Sequence, residues 1–315
     1  MKVLLTGANG FIGRELARQL LADGLGGAPI ERLVALDLQM GEAPEDARWQ
    51  GVAGSVGDPA VLARALDGAP DVVFHLASLP GGAAERQSRL GRQVNLDATV
   101  ALFEALTRPP APPRLVYASS VAVYGADLPN PVTDDSPTLP GLSYGAHKLV
   151  GEILLADAVR RGDLRGCALR LPGVVARPGD GAGLMSAFMS RLFWHLRDGV
   201  PVKLPVRPEG TAWWISVRRC ALNLRRAAIA DLGPLGPRQV ALMPALHLSV
   251  QEVVKALVRR FGSSREALVR FSPQEEVDRL FARQPPMEPR YARAIGLQDD
   301  GSADALVRSV LGEAD

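Results

Sequence analysis

Cysteine is almost absent from this chain: Cys167 and Cys220 are its only two. They stand outside any Cys-x-x-Cys or Cys/His grouping, which excludes a disulfide framework and supplies no zinc ligand set. Both are expected as buried thiols, one on a strand and one on a helix, and no metal site is expected. An excess of one charge is missing too. Lys and Arg number 36 against 34 Asp and Glu, a net charge of +2 with both signs spread throughout, so there is no electrostatic footprint for nucleic acid or a membrane surface. No uninterrupted apolar run reaches membrane-spanning length, and Met1 leads straight into an apolar run with no room for a signal peptide. A cytoplasmic location is expected. There is no internal repeat, and Pro109 to Pro113 reads as a stiff loop between elements.

What is present is a chain of 315 residues, 47% of them apolar, able to bury a full core as one large domain or two joined lobes. Lys2 to Leu5 reads as a buried strand, and Thr6-Gly7-Ala8-Asn9-Gly10-Phe11-Ile12-Gly13 turns directly into a helix from Arg14 to Ala22. That is the form of a dinucleotide-binding loop. Gly7 permits the tight turn, Gly10 admits a pyrophosphate and Gly13 lets the helix pack closely. The helix N-terminus beyond it favours an anion. Asp37 closes the next apolar run, Leu33 to Leu36, where a carboxylate accepts both ribose hydroxyls and repels a 2'-phosphate. NAD is therefore favoured over NADP.

Further strands are expected at Val72 to Leu76, Arg114 to Ala118 and Cys167 to Leu171, separated by segments long enough for crossover helices. Helical spacing marks Pro59 to Ala65, Gln93 to Thr107, Tyr144 to Arg161 and Leu184 to Arg197. This alternation is the sequence form of an α/β fold with a doubly wound parallel sheet. After Pro172 the texture turns to glycine, proline and arginine, with helices expected near Ser249 to Phe261, Pro273 to Arg283 and Ser302 to Leu311. Residues 1–171 are thus expected to bind the nucleotide, and 172–315 to form mainly a smaller substrate lobe, with some elements possible in the nucleotide-binding core. Ser249 with Glu252 three residues on has the form of a helix N-cap.

The chemistry begins with Tyr144 and Lys148, which project one turn apart from one helix face. An ammonium there stabilises a phenolate, and with the positive nicotinamide ring it would bring Tyr144 toward the range of a general base. Ser119 and Ser120 end a strand at the C-terminal edge of the sheet, where a hydroxyl can orient the reacting oxygen. With these in order, the chain resembles the extended short-chain dehydrogenases/reductases. The resemblance runs over nearly the full length through the glycine loop, Phe74-His75-Leu76-Ala77-Ser78, Val94-Asn95-Leu96-Asp97, Tyr117 to Gly125 and Tyr144-Gly145-Ala146-His147-Lys148.

That resemblance implies a Rossmann sheet with a smaller C-terminal α/β lobe, and NAD as cofactor. It implies Ser120 as the catalytic serine, four residues before Tyr124, with Ser119 nearer the nicotinamide. Lys148 would also bond the nicotinamide ribose. Asn95 would hold the central helix or the cofactor, and Leu76, Ala77 and Ser78 would line the pyrophosphate. Ser55 and Val56 occupy the adenine-contacting pair, with Ser in place of the usual Asp. The helix from Tyr144 and that around Gln93 to Thr107 would form a homodimer interface.

The family includes nucleotide-sugar epimerases, dehydratases and simple dehydrogenases. Val121 and Ala122 follow Ser120 where dehydratases carry Asp-Glu, and Thr211 to Arg218 lacks the Arg-Asp-aromatic run of nucleotide-sugar epimerases. A smaller substrate follows. The run Arg170 to Gly179, Ser186 to Ser190 and Trp213 to Arg218 are similar to acid-sugar dehydrogenases, although Trp214 and Val217 stand where His and Pro would be expected. The substrate implied is a short polyhydroxy carboxylate touched by Ser120 and Tyr144. Arg177 and Arg218 are the candidate anion receptors, because an Arg fork matches a carboxylate. Ser186 is a candidate for a substrate hydroxyl, and Trp213 for pocket wall or core. Pro172 is placed on the cofactor side and Gly173 on the substrate side. The expected reaction is NAD-dependent oxidation of a secondary hydroxyl. A 4-epimerase with retained NAD, or a non-catalytic NAD-binding sensor or scaffold, are the alternatives.

Overall fold

Apolar runs flanked by helical segments become the strands of one parallel sheet in the computed structural model, which describes residues 1–107, 112–179 and 185–313. In chain order the strands are β1 (Lys2–Thr6), β2 (Arg32–Asp37), β3 (Trp49–Ala53), β4 (Val72–His75), β5 (Arg114–Ser120), β6 (Val132–Thr133), β7 (Arg165–Leu171), β8 (Gly173–Val175), β9 (Val202–Leu204), β10 (Thr211–Ser216), β11 (Val240–Leu242), β12 (Leu246–Ser249), β13 (Val269–Phe271) and β14 (Met287–Glu288). Seven of them form the main sheet in the order β11-β7-β5-β4-β1-β2-β3, every pair parallel. The order reverses between β1 and β4. At such a switch point the connections diverge to opposite faces and leave a crevice outside the strand C-termini.

Helices cover both faces: α1 (Phe11–Asp23), α2 (Pro59–Ala65), α3 (Gly81–Arg86), α4 (Ser88–Arg92), α5 (Ala98–Leu106), α6 (Ser143–Arg161), α7 (Ala187–Asp198), α8 (Val217–Ile229) and α9 (Val250–Phe261), then the short α10 (Glu275–Phe281), α11 (Arg290–Ala294) and α12 (Ala303–Val310). The expected continuous helix from Gln93 is instead a π-helical turn, Gln93–Asp97, running into α5. The expected loop at Pro109 to Ala111 and the first residue of the helix expected from Leu184 lie outside the described residues.

Several elements from beyond residue 171 belong to the nucleotide-binding core, among them β10 and α11 through Trp213, Ile215 and Ala292. β11 extends the main sheet beside β7. α8 lays Cys220, Ala221, Leu224 and Ala227 into the same apolar cluster as Leu16 and Leu20 of α1. Much of the remaining chain builds a second core around Phe188, Phe193, Trp214, Val254 and Leu257, organised by the small sheet β12-β10-β8. The expected cap is present: Ser249 Oγ accepts from the Glu252 amide at 3.2 Å and the Glu252 carboxylate accepts from the Ser249 amide at 2.7 Å. Such a capping box stabilises its helix by ~1 kcal/mol. Among the described residues no helix is long and apolar enough to cross a membrane, and no cluster of three or more His, Cys, Asp or Glu could hold a metal ion.

Candidate active site

The glycine loop leaves β1 at the switch point. Gly7 takes φ +71°, and a Cβ there would lie 2.7 Å from the Ala77 amide nitrogen, so only glycine lets this loop meet the chain leaving β4. A Cβ on Gly13 would strike the Gly7 carbonyl oxygen. α1 starts at Gly10 with no side-chain cap and no acid in its first turn. Its first amides therefore face the crevice unopposed, which suits a pyrophosphate. Asp37 ends β2 with its carboxylate accepting from the Asn9 amide at 2.9 Å and the Leu38 amide at 2.8 Å. The glycine loop and Asp37 are thereby locked together. These residues fit a dinucleotide.

The other expected cofactor residues divide. The amides of Leu76 and Ala77 bond the Thr6 carbonyl and hydroxyl, at 3.1 and 3.3 Å, and set this loop beside the glycine loop. Val56 is buried, while exposed Ser55 accepts from the Gly57 amide at 3.1 Å and serves its own turn. Ile12 packs on the main core. Asn95 grips loop backbone from both sides, Oδ1 accepting from the Leu79 amide at 2.7 Å and Nδ2 donating to the Leu79 carbonyl at 3.0 Å. The π turn places it there, a common use of this irregularity. Behind the loop, buried His75 spans Thr6 Oγ1 at 2.7 Å and Thr99 Oγ1 at 2.9 Å. Burial, with the nearby Lys148 charge, pushes its pKa down to about 3.

Tyr144 lies in the first turn of α6, and the nearby hydroxyls of Ser120 and Ser78 both favour its phenolate. Ser120 also caps the turn after β5, accepting from the Ala122 amide at 3.1 Å. Ser78, expected on the pyrophosphate, also stands close enough to the base to favour its phenolate. Lys148 is buried; its Nζ donates to the Ala118 carbonyl at 2.7 Å, lying 4.8 Å from the Tyr117 ring centre and 5.8 Å from that of Tyr144. Burial pulls its pKa down to about 7, against the opposing pull of Glu152. Tyr144, whose expected lowering counted on the nicotinamide charge together with Lys148, is set here by the protein's own groups. Burial raises it on balance, while the Ser78 and Ser120 hydroxyls and the Arg177 charge act the other way.

Ser119 is also corrected. Adjacent strand residues face opposite ways, and Ser119 points under α6 to donate to Glu152 rather than toward a nicotinamide.

Of the substrate candidates, Arg177 reaches the site. It follows β8, its backbone held by Ser190 Oγ at 2.9 Å and the Trp194 indole at 2.7 Å, and its guanidinium lies 5.1 Å over the Phe11 ring. Desolvation lowers its pKa and Tyr144 raises it, so the two groups feel one another. Among the described residues no acidic side chain pairs with it. Arg218 does not reach the site. It donates to the Glu313 carbonyl at 3.0 Å at the seam of α8 and α1, because β10 feeds straight into α8 and its first turn faces α1. Trp213 is core, 1% exposed, with its indole N–H on the Pro285 carbonyl at 2.7 Å. A Cβ on Gly173 would meet the Trp213 carbonyl at 2.6 Å, so this glycine serves the packing of β8 on β10, and Pro172 is buried before it. Ser186 stands before α7 without capping it.

A parallel sheet with a glycine loop at its switch point, and a serine, tyrosine and lysine gathered at the C-terminal edge of the neighbouring strand, defines a Rossmann-type oxidoreductase architecture. The chain belongs to the NAD dependent epimerase/dehydratase family, whose model matches residues 3–217. It is similar to a D-erythronate dehydrogenase of Cupriavidus necator, 38% identical over 100% of this chain and 99% of that one. A D-erythronate dehydrogenase of Haemophilus influenzae is 27% identical over 99% of both. Among solved structures, a nucleoside-diphosphate-sugar epimerase from Agrobacterium tumefaciens superposes with a TM-score of 0.92 at 33% identity, covering 100% of this chain and 95% of that one.

Proposed function

We propose that this protein is an NAD-dependent dehydrogenase that oxidises a secondary hydroxyl on a small sugar acid such as D-erythronate. The observation that carries the reading is Arg177, a guanidinium stacked on Phe11 of the nucleotide loop and within electrostatic reach of Tyr144. A carboxylate docked there brings its own short carbon chain to the base. The two relatives named D-erythronate dehydrogenase, similar over the whole chain, support it.

The chemistry that NAD would supply is that of a hydride acceptor. Gly7, Gly10, Phe11, Ile12, Gly13, Asp37, Leu76, Ala77 and Asn95 build its cradle. Tyr144 takes the hydroxyl proton, Ser120 orients the same oxygen, and Lys148 supports the phenolate. Ser78, a second hydroxyl near the phenol, favours the phenolate alongside Ser120. Residues 1–171 hold the cofactor and these groups, while most of 172–315 shapes the substrate side. The protein acts in the cytoplasm as a homodimer through α5 and α6, where Val150, Ile153 and Leu154 stand exposed.

The test is NADH formation by absorbance with NAD and a panel of short aldonates, uronates and UDP-sugars. Sustained NADH with one acid is expected, and Tyr144→Phe should lower turnover ~100-fold or more while still binding NAD. UDP-sugar interconversion with silence across the acids would replace this reading with an epimerase, the activity named for the Agrobacterium structure.

A further inference from the structure

Glu152 is a buried charge that the scheme above leaves unused. It lies on α6 one turn beyond Lys148 and two beyond Tyr144, on the same face. Its side chain is 3% exposed. Oε1 accepts from Ser119 Oγ and from Arg170 Nε at 3.0 Å, and Oε2 from Arg170 Nη2 at 2.8 Å. Arg170 belongs to β7 and donates onward to the Tyr124 hydroxyl at 3.0 Å. One carboxylate thus ties the helix that carries Tyr144 and Lys148 to the strand edge that carries Ser120 and to the next strand of the sheet.

We infer that Glu152 is a positioning residue for the reaction: through Ser119 it fixes the Ser120 edge against α6, and its negative charge keeps the buried Lys148 ammonium in place. The inference rests on the reading in which Tyr144 is the base. Lys148 is faced by Tyr144 and Glu152 from its own helix, by Tyr117 from β5 and by neutral His75 from β4; Arg170 of β7 stands behind Glu152, and Arg177 faces Tyr144. Burial alone drives Lys148 toward neutrality, and Glu152 is the group that opposes this. The productive form is phenolate with ammonium. Taking away the carboxylate charge makes both protons of the pair leave more readily, but the Lys148 proton more so, because Glu152 sits nearer to it. The sign follows: both limbs of the pH profile move toward acid, and the plateau falls because part of the enzyme becomes neutral Tyr with neutral Lys.

The experiment is Glu152→Gln, read by kcat/KM against pH and by ultraviolet titration of tyrosinate, with Tyr144→Phe as the spectral blank. We expect a plateau ~10-fold lower and limbs displaced by about one pH unit toward acid, with Glu152→Asp restoring the wild-type limbs. Glu152→Gln leaves Arg170 buried without its partner. Should that variant not fold, Glu152→Gln with Arg170→Gln leaves no unpaired guanidinium and should shift the limbs in the same direction. Limbs that stay in place in a folded variant overturn the inference whatever happens to kcat, because a purely structural role changes amplitude and not proton affinity. If Tyr144→Phe turns over like wild type, the base assignment fails instead, and the tyrosinate titration still decides whether Glu152 sets the charge of the pair.

Discussion

Arg177 and Arg218 carry the same guanidinium and end in different jobs. Arg177 lies over Phe11, within electrostatic reach of Tyr144, and Arg218 ties α8 to the Glu313 carbonyl. If Arg177 receives the substrate carboxylate, Arg177→Met should raise KM for the acid ~10- to 100-fold, the worth of a charge-assisted contact. The effect on kcat should be much smaller, and Arg177→Lys should recover only part of it, since a point charge does not reproduce the fork. Steady-state kinetics on the acid found in the panel assay check this; an unchanged KM would remove Arg177 from the substrate site. At this scale the sequence was legible where partners are near in the chain. Tyr144 and Lys148 share a helix face by their spacing alone. The influence of Ser78 on Tyr144 was not legible, because it joins the loop after β4 to the first turn of α6, 66 residues on. Glu152 left a signal that went unread, namely the third member of a stripe at four-residue spacing on α6.

The loop from β1 into α1 shows what an element can specify. Gly7 and Gly13 are required by backbone contacts to Ala77 and to the loop itself. Gly13→Ala would place a methyl 2.9 Å from Ala8 Cα and against the Gly7 carbonyl. It should cost ~1–3 kcal/mol of stability by forced displacement of α1, and NAD binding should weaken because the helix amides leave the pyrophosphate position. Denaturant unfolding with NAD titration by fluorescence measures both, and a variant with unaltered NAD affinity would mean that α1 does not set the cradle. The strong apolar strands were legible as elements. β3 was not: its residues Trp49 to Ala53 bury only Val52 fully, as an edge strand needs. β8 and β11 are three residues each, too short for any period to register. The π turn at Asn95 escaped because a helical pattern does not distinguish it from regular helix; the clamp on Leu79 reveals it.

For the whole molecule, α6 exposes Val150, Ile153 and Leu154 on one face, at 38%, 60% and 38% of their full area. Apolar side chains at this spacing on the outside of a folded unit mark an association face. Sedimentation should therefore give about twice the 33.5 kDa chain mass, and Ile153→Glu should shift the protein to monomer at micromolar concentration; a wild-type monomer would refute the homodimer. The nucleotide half could be foreseen because each of its parts is local: a strand, a turn that only glycine permits, a helix, and an acid at the next strand end. Composition likewise settled what the chain has no means to build, such as a disulfide framework. Which side chains meet was decided only by tertiary structure. α8 and β11 return across the chain to complete the first core, Trp213 is sealed inside it, Arg177 is set over Phe11 by the turn after β8, and Ser119 is turned away to Glu152 by the strand's alternation. Local pattern specifies elements because backbone sterics and periodicity act over a few residues. A site is assembled from contacts between elements, whose register and crossing are set by how the buried faces pack.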